Sequence, residues 1–297
     1  MRRQAEIRCA AKLNLSLDVT GRREDGYHTL DSIFQSVDVY DILTLTVTDG
    51  DGIALHCDTP GVPCDESNLA WKAAVQFLAA AGQAYHVDIV LEKHIPSGAG
   101  MGGGSSDAAG VLYGLNELLG CGFSNEKLRE IGAKLGADVP FILLGGTALA
   151  RGIGEKLKPL SPLPETVNFV IVKGEESIST PAAYKAIDAL TEPVHPDTAG
   201  VLWAVETKDT ERLAEKCANL FEAAIDCKDV TRARERLRGC GARCAVMTGS
   251  GAAVFGIFPD DTPQETLSQI ADTLRGAFPF AQAAHPVETS FLYKEIE

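Results

Sequence analysis

Between Gly98 and Gly104 five of seven residues are glycine, and the run is wedged between two strongly patterned segments. Val87–Leu91 reads as a β-strand before it; Val111, Leu112, Leu115, Leu118 and Leu119 show helical spacing after it. Glycine has no Cβ, so successive backbone N–H groups in such a run can point into one concavity and approach an anion closely. The following helix adds unpaired N–H groups and the positive end of its dipole. The stretch from Ile95 to Asp107 therefore reads as a phosphate-binding loop, with Ser105, Ser106 and Asp107 in the cap and first helical turn. A flexible linker would not be locked between a buried strand and a periodic helix. Gly98-x-Gly100-x-x-Gly103 formally fits the dinucleotide fingerprint, but the acidic residue expected about 20 residues on is replaced by the helical Ser124-Asn-Glu-Lys. No Gly-Lys-Ser/Thr follows, so the loop is not of the Walker type.

The first strand is equally clear. Ile7, Cys9, Ala11, Leu13, Leu15, Leu17 and Val19 take every second position, with Arg8, Lys12, Asn14, Ser16 and Asp18 between them. A period of two puts Lys12 and Asn14 together on a polar face opposite the core. After a polar turn over Gly21–Gly26, strands are expected over 32–39 and 42–47. Ser67-Asn68 caps a helix ended by Gly82, and a further helix runs from Ser124 to Gly136. The second half reads as a strand over 167–172 and a helix over 180–190, with Thr180 as cap and Pro181 first in the helix. Two polar helices near 197–218 and a helix over 230–238 come next. Strands near 243–247 and 253–258 flank a second glycine cluster, Thr248-Gly-Ser-Gly251, before a helix over 263–277 and a last strand. Pro159, Pro162 and Pro164 mark a boundary, giving domains 1–160 and 161–297. Strands and helices mix without strict alternation, which favours an α+β fold over a doubly wound sheet.

Composition excludes several classes. The 27 basic and 41 acidic residues give a net charge of −14, which argues against nucleic acid or an anionic membrane as partner. No apolar run is long enough to span a bilayer, and the charged N-terminus lacks a signal-peptide core; the expected location is the cytoplasm. Eight scattered cysteines without a Cys-x-x-Cys pair read as reduced thiols, and the histidines at 56, 86, 94, 195 and 285 show no metal spacing. An acidic chain that binds polyphosphate must concentrate positive potential locally.

Two residues could serve phosphoryl transfer, which needs a proton acceptor and a neutralising cation. Lys12 is the one cation on the polar face at mid-strand, and reads equally as a solvated lysine. Asp138 lies in the apolar Gly136-Ala-Asp-Val-Pro-Phe-Ile, and reads equally as a helix cap.

Taken together, Ala11-Lys-Leu-Asn-Leu15, the loop Pro96–Ser106 and Met247-Thr-Gly-Ser-Gly251 resemble the GHMP kinase superfamily. The likeness extends through Gly21-Arg-Arg-Glu-Asp-Gly-Tyr-His28, Gly136-Ala-Asp-Val-Pro140 and Ile178-Ser-Thr-Pro181, from about residue 8 to 258. It implies a two-domain fold, ribosomal-S5-like α/β at the N-terminus and ferredoxin-like α+β at the C-terminus. It implies an ATP-dependent small-molecule kinase using Mg²⁺, a monomer or homodimer. Asp138 is then the base for the substrate hydroxyl, and Lys12 the cation that pairs with it and stabilises developing charge. Lys93, Pro96, Ser97, Gly98, Ala99, Gly100, Met101, Gly102, Gly103, Gly104, Ser105 and Ser106 bind ATP; the metal ligands are undetermined, with Ser105 or Ser106 within the candidate set. Tyr27 and His28 recognise the cytosine of a cytidine-bearing acceptor, with Tyr184 as the second aromatic of a sandwich. Asn14, Thr180, Gly249 and Gly251 contact the substrate or brace the first loop. The chain departs from the family pattern at Ala10, where proline often stands, at Met101, usually leucine, and at Ala252-Ala253, usually Pro-Ser or Pro-Thr.

Overall fold

A computed structural model describes residues 2–296. Two 21-residue strands, β1 (Arg2–Arg22) and β2 (His28–Thr48), form an antiparallel pair closed by the turn at 23–27. The two strands expected over 32–39 and 42–47 are therefore one. Three register shifts interrupt the pair, between Ala10 and Ala11, Asn14 and Ser16, and Val19 and Gly21. The first leaves Asp38 and Val39 of β2 unmatched, and the others leave Leu15 and Thr20 of β1 unmatched, breaking the simple period.

The first shift changes which face is which. Ile7 and Cys9 pack into a cluster with Leu43, Leu45, Phe77 and Leu112, whereas Ala11, Leu13 and Leu15 pack into a second cluster with Phe169, Val201 and Phe255. Lys12, Asn14 and Ser16 are buried too. The expected polar face of the strand is thus not solvated; it is an interior face that carries the site.

The first sheet runs β12-β1-β2-β4-β3. β3 (Gly52–His56) and β4 (His86–Glu92) are parallel and joined across α1 (Leu69–Ala81). Asn68 caps α1 by accepting from Ala70 N–H, and Gly82 ends it in the left-handed region. α2 (Gly103–Leu119) lies against α1 and β1. Then come α3 (Asn125–Gly132), α4 (Val139–Leu144) and the hairpin of β5 (Thr147–Gly152) and β6 (Lys156–Pro159), with β5 paired to β2.

The second sheet is antiparallel, built from β7 (Asn168–Lys173), β9 (Cys244–Met247), β10 (Ala253–Phe258) and β11 (Phe280–Ala284) in the order β11-β7-β10-β9. α9 (Lys228–Gly239) and α10 (Gln264–Arg275) cover it, which is the split βαββαβ arrangement. Between β7 and α9 lie α5 (Thr180–Ile187), α6 (Thr198–Thr207), α7 (Thr210–Lys216), the short β8 (Ala218–Asn219) and α8 (Phe221–Ala224). Ser179, not Thr180, caps α5, so Pro181 is second in the helix. β8 pairs with Ser16 and Leu17, and β12 (Phe291–Ile296) returns to pair with β1. The second half of the chain thereby contributes strands to the first sheet. The fold is two-layered α+β throughout.

α2 can lie this close to the strands because Gly110 faces them. A Cβ at Gly110 would stand well inside van der Waals contact of Cys9 Sγ and Leu43 Cδ1, both in the closed core. Replacing Gly110 with valine should destabilise the protein by roughly 1–3 kcal/mol through overpacking. Urea unfolding should show a lower midpoint with an unchanged slope; an unchanged midpoint would mean that the helix–strand packing has slack there.

Candidate active site

The glycine loop is held by alternation. Ala99 and Met101 are buried in the core, and between them Gly98, Gly100 and Gly102 take φ of +61°, +73° and +75°. Gly100 is required twice over: its φ is left-handed, and a Cβ there would fall on the backbone carbonyl of Thr248. The loop is stitched on both sides. Lys12 N–H donates to Met101 O at 3.0 Å, and the N–H groups of Ala252 and Ala253 donate to Gly98 O and Ala99 O at 3.2 and 3.1 Å. At Ala252 the chain departs from the family's usual proline, and its N–H makes a bond that a proline lacks.

α2 begins at Gly103, two residues earlier than the serines suggest, with Gly102 at the cap and no side-chain cap bond. Its first N–H groups are therefore unpaired by side chains and open onto a pocket of about 350 Å³ lined by Lys93 and by residues 95–104. Ser106 is not part of that lining. It is fully buried, and its hydroxyl donates to Ala10 O at 2.7 Å, so it anchors the helix to β1 and does not face a ligand. Ser105 lines the larger cleft and makes no hydrogen bond through its side chain among the described residues.

Lys93 is nearby but not free. Its ammonium pairs with Asp107 at 2.7 Å and more closely with Asp41, and all three groups are buried. Asp41 also accepts from His94 N–H and Ile95 N–H at 2.6 and 2.8 Å. The trio thus clamps the entry of the glycine loop to the first turn of α2. Burial, reinforced by the Asp41 charge and opposed by Lys93, pushes Asp107 up to about 8.

On the other side of the loop lies a cleft of about 770 Å³. Gly100 and Gly102 line both pockets, so the loop is the wall between them. Lys12 and Asp138 meet here across 126 residues of sequence, Nζ to Oδ2 at 3.8 Å. Lys12 is only 4% exposed; its ammonium also donates to Asn14 Oδ1 at 2.7 Å and lies 5.1 Å from the Phe34 ring centre. Burial lowers its pKa, and the Asp138 charge offsets part of that. Asp138 stands at the N-cap of α4 yet makes no cap bond with its side chain, and it is about one-third exposed. Of the two readings open from sequence, the helix-cap one is removed.

Asn14, expected to touch substrate, is 1% exposed and spent on the protein. Its Oδ1 accepts from Lys12 Nζ, Thr248 Oγ1 at 3.2 Å and Gly249 N–H at 2.9 Å, and its amide donates to Ser32 Oγ at 3.0 Å. Asn14 still lines the cleft, as do Gly249 and Ser250, whereas Gly251 faces Ile178 and Met247 and does not. Thr180 lines it beside Ser250, the hydroxyls 2.9 Å apart.

At the far end His28 and Tyr184 stack, centroids 4.6 Å apart and planes 17° off parallel. Tyr27 lies at the mouth, 61% exposed. The aromatic pair formed here is His28 with Tyr184, not Tyr27 with Tyr184. Burial, with the Asp138 charge adding, pushes the Tyr184 phenol up to about 12, so it stays a neutral donor. Sequence reasoning missed two residues. Asp188, one helical turn beyond Tyr184, bonds His28 Nε2 at 2.6 Å; the spacing of four was the available signal. Asp41 carried no local signal at all.

The model of the GHMP kinases N terminal domain matches residues 68–146, and that of the GHMP kinases C terminal matches 201–276. A 4-diphosphocytidyl-2-C-methyl-D-erythritol kinase of Clostridium botulinum (strain Eklund 17B / Type B) is 41% identical over 86% of this chain and 91% of its own length. That of Geobacter sp. (strain M21) is 40% identical over 93% and 97%. The chain belongs to this GHMP kinase family. A crystal structure of 4-(cytidine 5'-diphospho)-2C-methyl-D-erythritol kinase superposes with a TM-score of 0.80 at 36% identity, over 95% of this chain and 98% of the other. Homoserine kinase from Cytophaga hutchinsonii, at 18% identity and a TM-score of 0.76 over 99% and 97% of the two chains, shares the fold. The kinase has no helix long and apolar enough to cross a membrane among its described residues, and no cluster of three or more metal-ligating side chains.

The raised Asp107 has a consequence for this kinase that stability measurements can read. Between about pH 4 and 8 the folded protein holds a proton that the unfolded chain has released, so stability falls as pH rises through that window. Unfolding free energies of wild type and Asp107→Asn should differ by an amount that drifts against the wild type from pH 5 to 8, by up to about 1.4 kcal/mol per unit. A pH-independent difference would show Asp107 to be ionised in the fold.

Proposed function

We propose that this kinase transfers the γ-phosphate of ATP to the 2-hydroxyl of 4-diphosphocytidyl-2-C-methyl-D-erythritol, giving the 2-phosphate and ADP in non-mevalonate isoprenoid biosynthesis. The observation that carries the reading is the Lys12–Asp138 pair in a cleft whose wall is the glycine loop. Donor phosphates on one side of Gly100 and Gly102 and an acceptor hydroxyl on the other can meet only across that wall. The relatives named above supply the acceptor, and the His28–Tyr184 end of the cleft suits its base. We assign residues 1–160 as the donor domain and 161–297 as its partner.

The chemistry follows from the side chains present. The loop amides and the start of α2 hold the phosphates. Asp138 takes the hydroxyl proton as the oxygen–phosphorus bond forms and the bond to the ADP oxygen breaks. Lys12, buried and held by Asn14, stabilises charge on the group in transit without reorganising. The donor set suits a Mg²⁺ carried by the nucleotide and not a protein cage: no ligand trio exists among the described residues, and the hydroxyls of Ser97 and Ser105 are the unspent ones at the loop. Such an ion would neutralise phosphate charge.

A coupled ADP-release assay tests the assignment. Turnover with mevalonate or homoserine but not with the cytidine substrate would move the protein elsewhere in the superfamily. Within the assigned reaction, Asp138→Asn should lower kcat by about 10²–10⁴-fold, with ATP affinity essentially unchanged. A near-wild-type rate would remove Asp138 as the base.

A further inference from the structure

His28 opens β2 directly opposite Arg22, the last residue of β1. Tyr184 and Asp188 project from one side of α5, four residues apart, so the ring covers a face of the imidazole while the carboxylate takes its edge. Arg22 binds the other carboxylate oxygen of Asp188 at 3.3 Å, leaving Oδ1 for His28 Nε2 at 2.6 Å. Asp188 is held below the usual carboxylate range, first by the His28 hydrogen bond and further by the Arg22 charge. An ionised carboxylate only accepts, so Nε2 must carry the hydrogen. In the neutral ring that leaves Nδ1 bare. Nδ1 has no hydrogen-bond partner among the described residues, and His28, Tyr184, Asp188 and Arg22 all line the cleft.

We propose that Asp188 is a specificity-positioning residue: by fixing the Nε2–H tautomer of His28 it makes Nδ1 an acceptor, and so selects an acceptor nucleotide whose base presents an amino group. This rests on the proposed function, since it concerns the base of that acceptor. Cytosine offers its N4 amino hydrogens to a bare Nδ1; the otherwise similar uracil offers the O4 lone pairs at the same edge. The contact is therefore attractive for one base and repulsive for the other, the means by which a polar site rejects a near-isostere. Arg22 acts one step further out, orienting the carboxylate. With Asn at 188 the amide can turn either its oxygen or its NH₂ to Nε2, and the second orientation returns the hydrogen to Nδ1.

The test compares kcat/KM for the cytidine and uridine forms of the diphosphomethylerythritol acceptor at pH 8. Wild type should strongly prefer the cytidine form. Asp188→Asn should cut that preference at least about tenfold, an order expected for one reversed base-edge contact, with KM for ATP unchanged. Asp188→Glu should restore part of it. Equal losses for both acceptors, with the ratio preserved, would show that Asp188 merely supports the fold and overturn the inference. An unaltered enzyme would overturn it too. Failure of the wild type to phosphorylate either nucleotide would instead defeat the assigned function, and the inference with it.

Discussion

One amide oxygen ties the first strand to both glycine loops. Asn14 Oδ1 receives the Lys12 ammonium, the Thr248 hydroxyl and the Gly249 N–H at once. It joins β1 to a loop more than 230 residues away, and that loop in turn braces the glycine run through Ala252 and Ala253. Every donor involved is buried, and a buried donor left unpaired costs about 1–3 kcal/mol. The geometry of the loop wall is therefore specified by hydrogen bonds that have no alternative partner. Lys12 can be kept charged in a dry setting because Asn14 and Asp138 stand around it.

What brings Asn14 and Lys12 inward is the register shift at Ala10 and Ala11. Upstream, the odd-numbered residues of β1 pack under α1 and α2; downstream, they pack toward the second sheet, and the even-numbered ones turn to α4 and the glycine loop. Small residues at 10 and 11 allow the crossover, and Ser106 fixes it by bonding Ala10 O. A strand buried on both faces gives a clean alternating pattern only where one face is polar for functional reasons.

This explains what was legible in the sequence. The glycine run, the first strand, the second glycine cluster and most helices announce themselves through local period and caps. The pairing of Lys12 with Asp138 does not, because nothing local relates residues 126 apart; only the resemblance joined them. That the polar face of β1 lies in the interior is not legible, because alternation reports polarity and not exposure. Ser106 looks like a ligand contact for the same reason: a small polar residue beside a site is as useful for tying elements together as for touching a ligand. The gap expected at residues 40–41 lies within one continuous strand, whose pairing with β1 is interrupted just before it, at Asp38 and Val39; bulges leave little composition signal.

The net charge of −14 sharpens how the donor side must work. The lysine nearest the glycine loop is not surplus charge, since Asp41 and Asp107 flank it, and with Asp107 protonated the trio is neutral. Lys12, likewise buried, faces the larger cleft. Positive potential in the smaller pocket thus falls to oriented N–H groups, whose dipoles are fixed by the alternation of buried Ala99 and Met101 with left-handed glycines. Such a cradle tolerates an acidic surface, because dipoles at contact range act where the long-range field of the surface is already screened. It also binds any phosphate alike. Selectivity must then come from the acceptor side, where His28, Tyr184 and Asp188 supply a polar edge with a sign.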